Sequence, residues 1–187
     1  LRDLTLGVVS EVPTPWWCLA HDLRGIGVAP EALRTVTGRT MARNAGAVIA
    51  GELDVAQVFE PHAAIMEARG GAVWHAQASR GPTSYTAFYT TAELLSRKRP
   101  AMHAMVRGIA ATQRWLHAAT AADVAAAVAP YFTEVAPGTL ERAVVRYLTL
   151  DVWSATPRFP RAAFDPLEAA MLGAGAIPRP PGFDACV

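Results

Sequence analysis

The sequence predicts an α/β protein in which one mostly parallel sheet is flanked by helices and followed by a C-terminal helical segment. Short apolar runs alternate with helical patterns through the N-terminal half, and the connections between them are short. The strands are predicted as apolar runs rather than alternating patterns, which is typical of strands buried on both faces. The C-terminal half carries mainly helical periodicity, so the sheet is expected in the N-terminal half.

Glycine residues separate the predicted elements of the N-terminal half. Gly25, Gly51 and Gly70 follow helical patterns, and glycine at such a position commonly ends a helix. The predicted strands are Leu4–Val9, Leu33–Val36, Val55–Phe59 and Ala72–His75. The predicted helices between them are Trp16–Leu23, Thr40–Ala50 and Pro61–Ala68.

The C-terminal half predicts helices after one further segment, Tyr85–Tyr89, that is compatible with a strand. Apolar residues at helical spacing predict a long helix over Pro100–Ala118. Thr120 followed three residues later by Asp123 resembles a capping box, which opens the next helix. Two more helices are predicted over Leu140–Leu148 and from Pro160 to Gly173, and the Pro-rich tail is expected to be extended.

Composition gives no support for a nucleic-acid-binding protein. The chain has 187 residues and a net charge of +1, so no strong positive field is available to attract DNA, RNA or an acidic membrane. Its length fits one domain or one large piece of a larger protein. Lys98 is the single lysine among 17 basic residues, a bias that we interpret as genomic rather than functional.

No segment predicts a membrane-spanning helix or a disulfide scaffold. The longest uncharged stretches, such as Gly81–Ala92, fall short of the roughly 20 apolar residues that a span requires. Cys18 and Cys186 are too few for a disulfide framework and wrongly spaced for a zinc site. We interpret them as two unpaired thiols.

The candidate site lies at the carboxyl ends of the predicted strands, where open α/β sheets bind ligands. The turns at this edge supply hydroxyl, charged and aromatic side chains that suit a small polar or partly aromatic ligand. The candidate side chains are those of Thr14, Trp16, Glu60, Ser79, Arg80, Thr83 and Tyr85. The alternative is that these are ordinary loop residues, because Ser, Thr and Pro favour turns in any case.

Motifs of the common catalytic and metal sites are missing from the sequence. There is no G-x-S-x-G, no Walker loop and no H-E-x-x-H, and the five histidines are scattered. Neither an enzymatic centre nor a metal site is therefore predicted.

The stretch from Asn44 to Pro61, NAGAVIAGELDVAQVFEP, resembles a core pattern of periplasmic solute-binding proteins of the nitrate/sulfonate/taurine type. That group includes the NMT1/THI5-like domain, and the pattern is A-x-x-x-G-x-x-D-x-x-x-x-x-E-P. The connector Gly25–Pro30 and the ending from Phe164 to Pro178 are also similar to this family. The resemblance therefore runs over nearly the whole chain.

The resemblance implies a two-lobed, periplasmic binding protein type II-like fold that holds a small solute in a cleft. Such a protein delivers its solute to the membrane permease of an ABC importer. Residues 1–78 would form lobe two, residues 79–90 a hinge crossing strand, and residues 91–187 helices that pack toward lobe one. Since such proteins are usually longer, most of the N-terminal lobe is expected to be missing from this chain. The family also implies a periplasmic or cell-envelope location, with no catalysis, cofactor, nucleic acid partner or direct membrane insertion.

Carried over residue by residue, the family's cleft adds one candidate from the second helix to those at the sheet edge. The ligand-binding candidates are then Thr14, Trp16, Asn44, Glu60, Ser79, Arg80, Thr83 and Tyr85. Glu60 would accept hydrogen bonds from an amino or ring N–H group and would oppose a pure anion such as nitrate. Trp16 and Tyr85 would cover a ring or an aliphatic body. The expected solute is organic, of sulfonate, amino-sulfonate or heteroaromatic, pyrimidine-like type.

Two alternatives use the same fold. Yeast-type THI5 proteins make the thiamine pyrimidine from pyridoxal phosphate and their own histidine, with a lysine Schiff base and a Cys-rich segment. Here Lys98 stands between Arg97 and Arg99, as in a solvated charge run, and the Cys-rich segment is missing. The second alternative, a ligand-sensing module, would require a fused signalling domain.

Overall fold

A computed structural model describes all 187 residues, Leu1–Val187, which form two compact units. The first unit comprises Leu1–Thr83 and Arg161–Val187, and the second comprises Ser84–Pro160. The chain therefore leaves the first unit once, builds the second from consecutive residues, and returns to complete the first.

The first unit contains a parallel three-stranded sheet with the strand order β2-β1-β3. Strand β1 is Thr5–Gly7, β2 is Arg34–Val36 and β3 is Val55–Ala56. Leu6 of the central strand lies opposite Thr35 on one side and Val55 on the other. The predicted α/β fold with a parallel sheet flanked by helices is confirmed, although each strand is shorter than predicted.

Nine α-helices account for most of the remaining structure. They are α1 (Thr14–Gly25), α2 (Met41–Ile49), α3 (His62–Glu67), α4 (Ala92–Arg97), α5 (Arg99–Ala118), α6 (Ala121–Val128), α7 (Pro137–Thr149), α8 (Arg161–Gly173) and α9 (Phe183–Cys186). The seven predicted helices are confirmed with bounds shifted by a few residues, whereas α4 and α9 were not predicted. None of the nine has both the length and the apolar character that a membrane span requires.

The core of the first unit is built around β1 and α1. Leu6 of the central strand and Val8 directly after it are buried, and Cys18 and Leu23 are buried on α1. Helix α8, which the chain forms after its return to this unit, packs against α1. Helix α1 therefore contacts the C-terminal segment while it buries apolar side chains of its own.

The tail docks on α8 rather than lying extended as predicted. Phe183 of α9 meets Phe164 edge to face, with ring centroids 5.6 Å apart. Arg161 places its guanidinium 4.6 Å from the Phe183 ring centroid and donates to Asp184 at 2.6 Å. Phe164 of α8 thus gives the short terminal helix an aromatic surface to pack on.

The second unit is helical and has its own small core. Val124 and Ala125 of α6 pack with Leu140 and Val144 of α7, and all four are buried. The predicted capping box at the start of α6 is confirmed: Asp123 N donates to Thr120 Oγ1, and Thr120 N donates to Asp123 Oδ2, each at 3.2 Å. The Thr120 hydroxyl also donates to Asp123 Oδ2, at 2.6 Å, and this bond together with that from Thr120 N lowers the pKa of the Asp123 carboxyl.

Two predicted strands, Ala72–His75 and Tyr85–Tyr89, are wrong, because neither segment has regular secondary structure. Both are exposed: Trp74 is 65% exposed, and Tyr89 is 98% exposed. A short apolar run becomes a strand only if a neighbouring strand is long enough to pair with it, and β3 at the edge of the sheet has two residues. The proposed lobe limits of 1–78, 79–90 and 91–187 stay predictions.

Candidate functional site

The carboxyl ends of the three parallel strands lie at one edge of the sheet, and the loops after β1 and β2 are hydrogen-bonded to each other. Ser10 Oγ accepts a hydrogen bond from Gly38 N at 2.8 Å, and Glu11 Oε1 accepts one from Met41 N at 2.7 Å. Ser10 and Glu11 follow β1, whereas Gly38 and Met41 follow β2. The first loop therefore fixes both the second loop and the start of α2.

Two glutamine side chains join the end of β3 to α1. Gln57, immediately after β3, donates from Nε2 to the carbonyl oxygen of Pro15 at 2.9 Å and to Oε1 of Gln77 at 2.8 Å. Gln77 donates from its own Nε2 to the same Pro15 oxygen at 3.2 Å. Both amide donors therefore converge on the first turn of α1, the turn that carries the candidates Thr14 and Trp16.

The structure brings the candidates Arg80 and Thr83 into contact. The main partner of the Arg80 guanidinium, however, is Asp22 of α1. Arg80 donates from Nε and Nη2 to the Asp22 carboxylate at 2.9 and 2.8 Å, and from Nη1 to Thr83 Oγ1 at 2.9 Å. Its side chain is 13% exposed, and that of Asp22 is 34% exposed. The hydrogen bonds that Arg80 donates to Asp22 raise the pKa of Arg80, so the guanidinium stays charged.

Cys18 lies beside this ion pair, on the same side of α1. Burial raises the pKa of the Cys18 thiol, and the positive charge of Arg80 offsets only part of that effect. The residue is 2% exposed and is therefore a packed thiol rather than a reactive one. Cys186, the second free cysteine, is exposed near the C-terminus.

Asn44 lies in the core, where it is 0% exposed. Its Nδ2 donates to the carbonyl oxygen of Val8 at 3.1 Å, which joins α2 to the residue after β1. A methyl group added at Gly7 would lie 2.9 Å from Asn44 Oδ1 and 2.8 Å from Leu53 Cδ1. The close approach of the Asn44 carboxamide therefore requires glycine at the end of β1.

Glu60 caps the short helix α3. Its Oε2 accepts a hydrogen bond from Ala64 N at 3.0 Å, as a side-chain acceptor does at the first turn of a helix. The residue is half-buried in the loop that follows β3, at the sheet edge where the sequence predicts it. Its binding role stays a prediction.

The remaining candidates are divided between the two units. Thr14 and Trp16 are half-buried in the first turn of α1, and Ser79 is exposed in the 3-10 helix Gln77–Arg80. Tyr85 is 43% exposed and belongs to the second unit. Of the first-unit candidates, Thr14 and Trp16 thus lie at the turn that the two glutamines contact, and Glu60 follows β3. Arg80 and Thr83 lie at Asp22, about two turns later in α1, and Asn44 lies in the core.

Three residues that shape this region were not predicted from the sequence. Gln57 directly follows β3 in the structure, but the predicted strand Val55–Phe59 includes it, so the rule that locates ligands at the carboxyl ends of strands indicated Glu60 instead. Gln77 and Asp22 carried no comparable signal, because each acquires its role from a partner that is distant in the sequence.

No group of three or more His, Cys, Asp or Glu side chains is arranged to hold a metal ion. A cavity of about 160 Å³ opens in the second unit between α6 and α7. Its lining is mainly alanine, with Leu140 and Glu141. Such a lining offers few polar groups to orient a ligand.

Comparison with known proteins finds a similar chain in Bacillus subtilis (strain 168), named "Putative binding protein YtlA". The two are 26% identical over 142 residues, which cover 74% of this chain and 42% of that protein. No family model and no solved structure matches the chain. The nitrate/sulfonate/taurine type and the NMT1/THI5-like domain are not confirmed and stay predictions. The chain is thus similar, at low identity, to less than half of a protein that carries the name of a binding protein.

Proposed function

We propose that this protein is the solute-binding component of an ABC-type importer and captures a small organic solute at the carboxyl edge of its sheet. The observation that carries the proposal is the pair of glutamine amides that holds the end of β3 against the first turn of α1. The similarity to a named binding protein supports the same interpretation. We place the protein in the periplasm or cell envelope, with a membrane permease as its partner.

The edge is suited to binding because its loops are fixed before a solute arrives. Ser10 and Glu11 hold the segment after β2, and Gln57 holds α1, so three connections share one hydrogen-bonded framework. A preformed framework lowers the entropy that binding must remove from the protein. Trp16 adds a flat apolar surface to this framework, and Glu60 adds a carboxylate.

The chemistry of these side chains favours an organic solute over an inorganic anion. Glu60 and the amide oxygens are hydrogen-bond acceptors, and a carboxylate repels a small anion such as nitrate, which has no uncharged part to place against it. An organic sulfonate can hold its anionic group away from Glu60. Amino-sulfonates, sulfonates and heteroaromatic rings of pyrimidine type each combine a polar group with a body that Trp16 can cover. We propose that the protein binds such a solute and releases it without chemical change.

The exposed side of α5 supports a second lobe in the functional protein. Helix α5 has 20 residues and buries none of them, although apolar side chains recur along it. Met105 and Val106, neighbours on the predicted apolar stripe of this helix, are 39% and 45% exposed. Exposed apolar side chains of this kind often mark a surface that another part of a protein covers, and we propose that the lobe implied by the family resemblance covers them.

A thermal-shift screen tests the proposed function. The probes are taurine, propane-1-sulfonate, 4-aminopyrimidine and 4-methylpyrimidine, each recovered afterwards and analysed by mass spectrometry. A solute at one hundred times its Kd stabilises the folded protein by about 2.7 kcal/mol, which raises the melting temperature by several degrees. Stabilisation by at least one probe, recovered unchanged, is the expected result. No stabilisation by any of them contradicts the proposal, and a chemically altered probe moves the function to the enzyme class.

A further inference from the structure

The hydrogen bonds of Gln57 fix which way its carboxamide points. The backbone N–H of Gln57 donates to the carbonyl oxygen of Gly7 at 2.8 Å, so the residue continues the pairing of β3 with β1. Its Nε2 lies between two acceptors, the carbonyl oxygen of Pro15 and Oε1 of Gln77. Rotating the amide by half a turn would place Oε1 against those two oxygens. The observed orientation is therefore the one that the surroundings impose.

This orientation leaves Oε1 of Gln57 buried and without a hydrogen bond from the protein. Leaving a buried carbonyl oxygen without a donor is unfavourable, because the oxygen loses its hydrogen bonds to water and gains none from the protein. Few such groups persist in native proteins, and each requires a physical explanation. The residue as a whole is half-buried, so solvent reaches part of Gln57 although it does not reach this oxygen.

Two other carboxamide oxygens are also buried without a hydrogen bond, but neither lies at the carboxyl edge of the sheet. Asn44 Oδ1 lies in the closed core against Gly7, where the residue has no exposed surface. Gln113 Oε1 belongs to the second unit, where its Nε2 donates to the carbonyl oxygen of Thr156 at 3.1 Å. Gln57 alone among the three follows a strand at the carboxyl edge of the sheet.

We propose that Oε1 of Gln57 accepts a hydrogen bond from an N–H group of the solute and so selects solutes that carry one. This inference rests on the proposed solute-binding function and deepens it. The solute reaches Oε1 by displacing a neighbouring side chain, because the oxygen is covered when no solute is bound. The predicted class is therefore amines, amides and ring N–H compounds, rather than solutes that offer only acceptors or methyl groups.

The size of the selection follows from one hydrogen bond. A neutral hydrogen bond changes Kd by about two- to tenfold, and a bond from a charged amine changes it by about ten- to one hundredfold. Replacing the donor by a methyl group of similar size should therefore weaken binding about tenfold or more, since it also leaves Oε1 unpaired.

Calorimetric titration with two matched pairs of probes tests the inference. Taurine and propane-1-sulfonate differ by an amino against a methyl group, as do 4-aminopyrimidine and 4-methylpyrimidine. We expect the wild-type protein to bind the amino member of at least one pair about tenfold more tightly. In Gln57→Met this preference should fall to less than about twofold, because the variant has no acceptor at this position. Gln57→Leu, a second apolar replacement, serves if Gln57→Met does not fold.

The matched control is Gln113→Met, which removes a carboxamide with the same kind of unpaired buried oxygen from the second unit and leaves Gln57 and Gln77 in place. This variant should retain the tenfold preference. Retention of the preference in Gln57→Met, with both members of a pair weakened equally, would show that Gln57 only fastens β3 to α1, and would overturn the inference. Equal binding of both members by the wild type, as expected if a water molecule occupies Oε1, would overturn it and leave the proposed function standing. Binding of neither pair would contradict the proposed function itself.

Discussion

Arg80 and Asp22 form a two-pronged ion pair, with 2.9 Å between Nε and Oδ2 and 2.8 Å between Nη2 and Oδ1. The two residues are 58 positions apart, so the pair fastens residues 77–83 to α1. The glutamine contact at Pro15 fastens the same segment two helical turns earlier, on the same side of the helix. The chain enters the second unit directly after this segment, and α1 therefore anchors the point of departure.

Breaking this ion pair should destabilise the first unit. The Arg80 side chain is largely buried and Asp22 is about one-third exposed, so the interaction falls between that of a surface pair and that of a buried pair. We expect Asp22→Ala and Arg80→Ala each to lower the free energy of unfolding by about 1–3 kcal/mol. A double-mutant cycle in urea should give a coupling energy of about 1–2 kcal/mol.

The exposed pair Arg24–Glu31 is a matched control, with an N–O distance of 2.6 Å and side chains 42% and 70% exposed. The same cycle on this pair should give a clearly smaller coupling energy, because water screens both groups. Equal coupling in the two cycles would contradict the role of burial in the Arg80–Asp22 pair.

Enlarging Gly7 should damage the contact between β1 and α2. A methyl group there would lie within 2.9 Å of Asn44 and 2.8 Å of Leu53, and such overpacking costs about 1–3 kcal/mol. We expect Gly7→Ala to be destabilising by this amount in urea unfolding. Combining it with Asn44→Ala should cost less than the sum of the two single changes, because the shorter side chain makes room.

Gly108 supplies the control for this experiment. It lies inside α5, and a methyl group added there would meet no atom within 4 Å. Gly108→Ala should therefore stabilise the protein by about 0.5–1 kcal/mol, since alanine favours a helix. A similar effect of both substitutions would mean that Gly7 is not constrained by Asn44.

The sequence predicted the three paired strands of the first unit better than it predicted where the sheet ends. The runs around Leu6, Thr35 and Val55 are bounded by turn residues, and all three pair in the sheet. The run around Trp74 looks the same locally but finds no strand to pair with, and this depends on how far β3 extends. Asp22 could not be predicted for a similar reason. A carboxylate in the middle of a helix carries no local signal, and its role depends on the tertiary contact with Arg80, which is remote in the sequence.

The two cysteines should differ sharply in reactivity. Cys186 is exposed, whereas Cys18 is 2% exposed and has a raised pKa because burial disfavours its thiolate. Ellman's reagent at pH 8 should label one thiol rapidly in the folded protein and both in denaturant. Cys186→Ser should abolish the rapid phase. Rapid labelling of that variant would show that Cys18 is accessible.

The raised pKa of Cys18 also predicts how stability depends on pH. The folded pKa lies above the unfolded one, so this contribution is fully present below about pH 8.5, where the unfolded thiol stays protonated. It should be lost as the pH rises through the folded pKa. Cys18→Ala should flatten the alkaline decline in the urea midpoint, and an unchanged slope would assign the decline to other groups.

Two substitutions of Glu60 should distinguish its effect on solute binding from its effect on stability. Glu60→Ala removes both the charge and the oxygen that caps α3, whereas Glu60→Gln removes only the charge. Oε2 accepts a hydrogen bond from Ala64 N at 3.0 Å, so Glu60→Ala should cost about 1 kcal/mol in urea unfolding through loss of the cap. Glu60→Gln keeps an oxygen acceptor of the same length and should cost less than half of that. For the proposed amine-bearing solute, both variants should weaken taurine binding about tenfold or more, because the carboxylate charge is gone in each.

The comparison between these two variants decides the role of Glu60. Glu60→Gln with nearly unchanged stability and weakened taurine binding is the result expected of a side chain that contacts the solute. Wild-type affinity in Glu60→Gln, with affinity lost only in the less stable Glu60→Ala, would show that Glu60 serves α3 alone. Calorimetry and urea unfolding on the same preparations distinguish these results, because the loss of the cap affects the free energy of unfolding whether or not taurine is present.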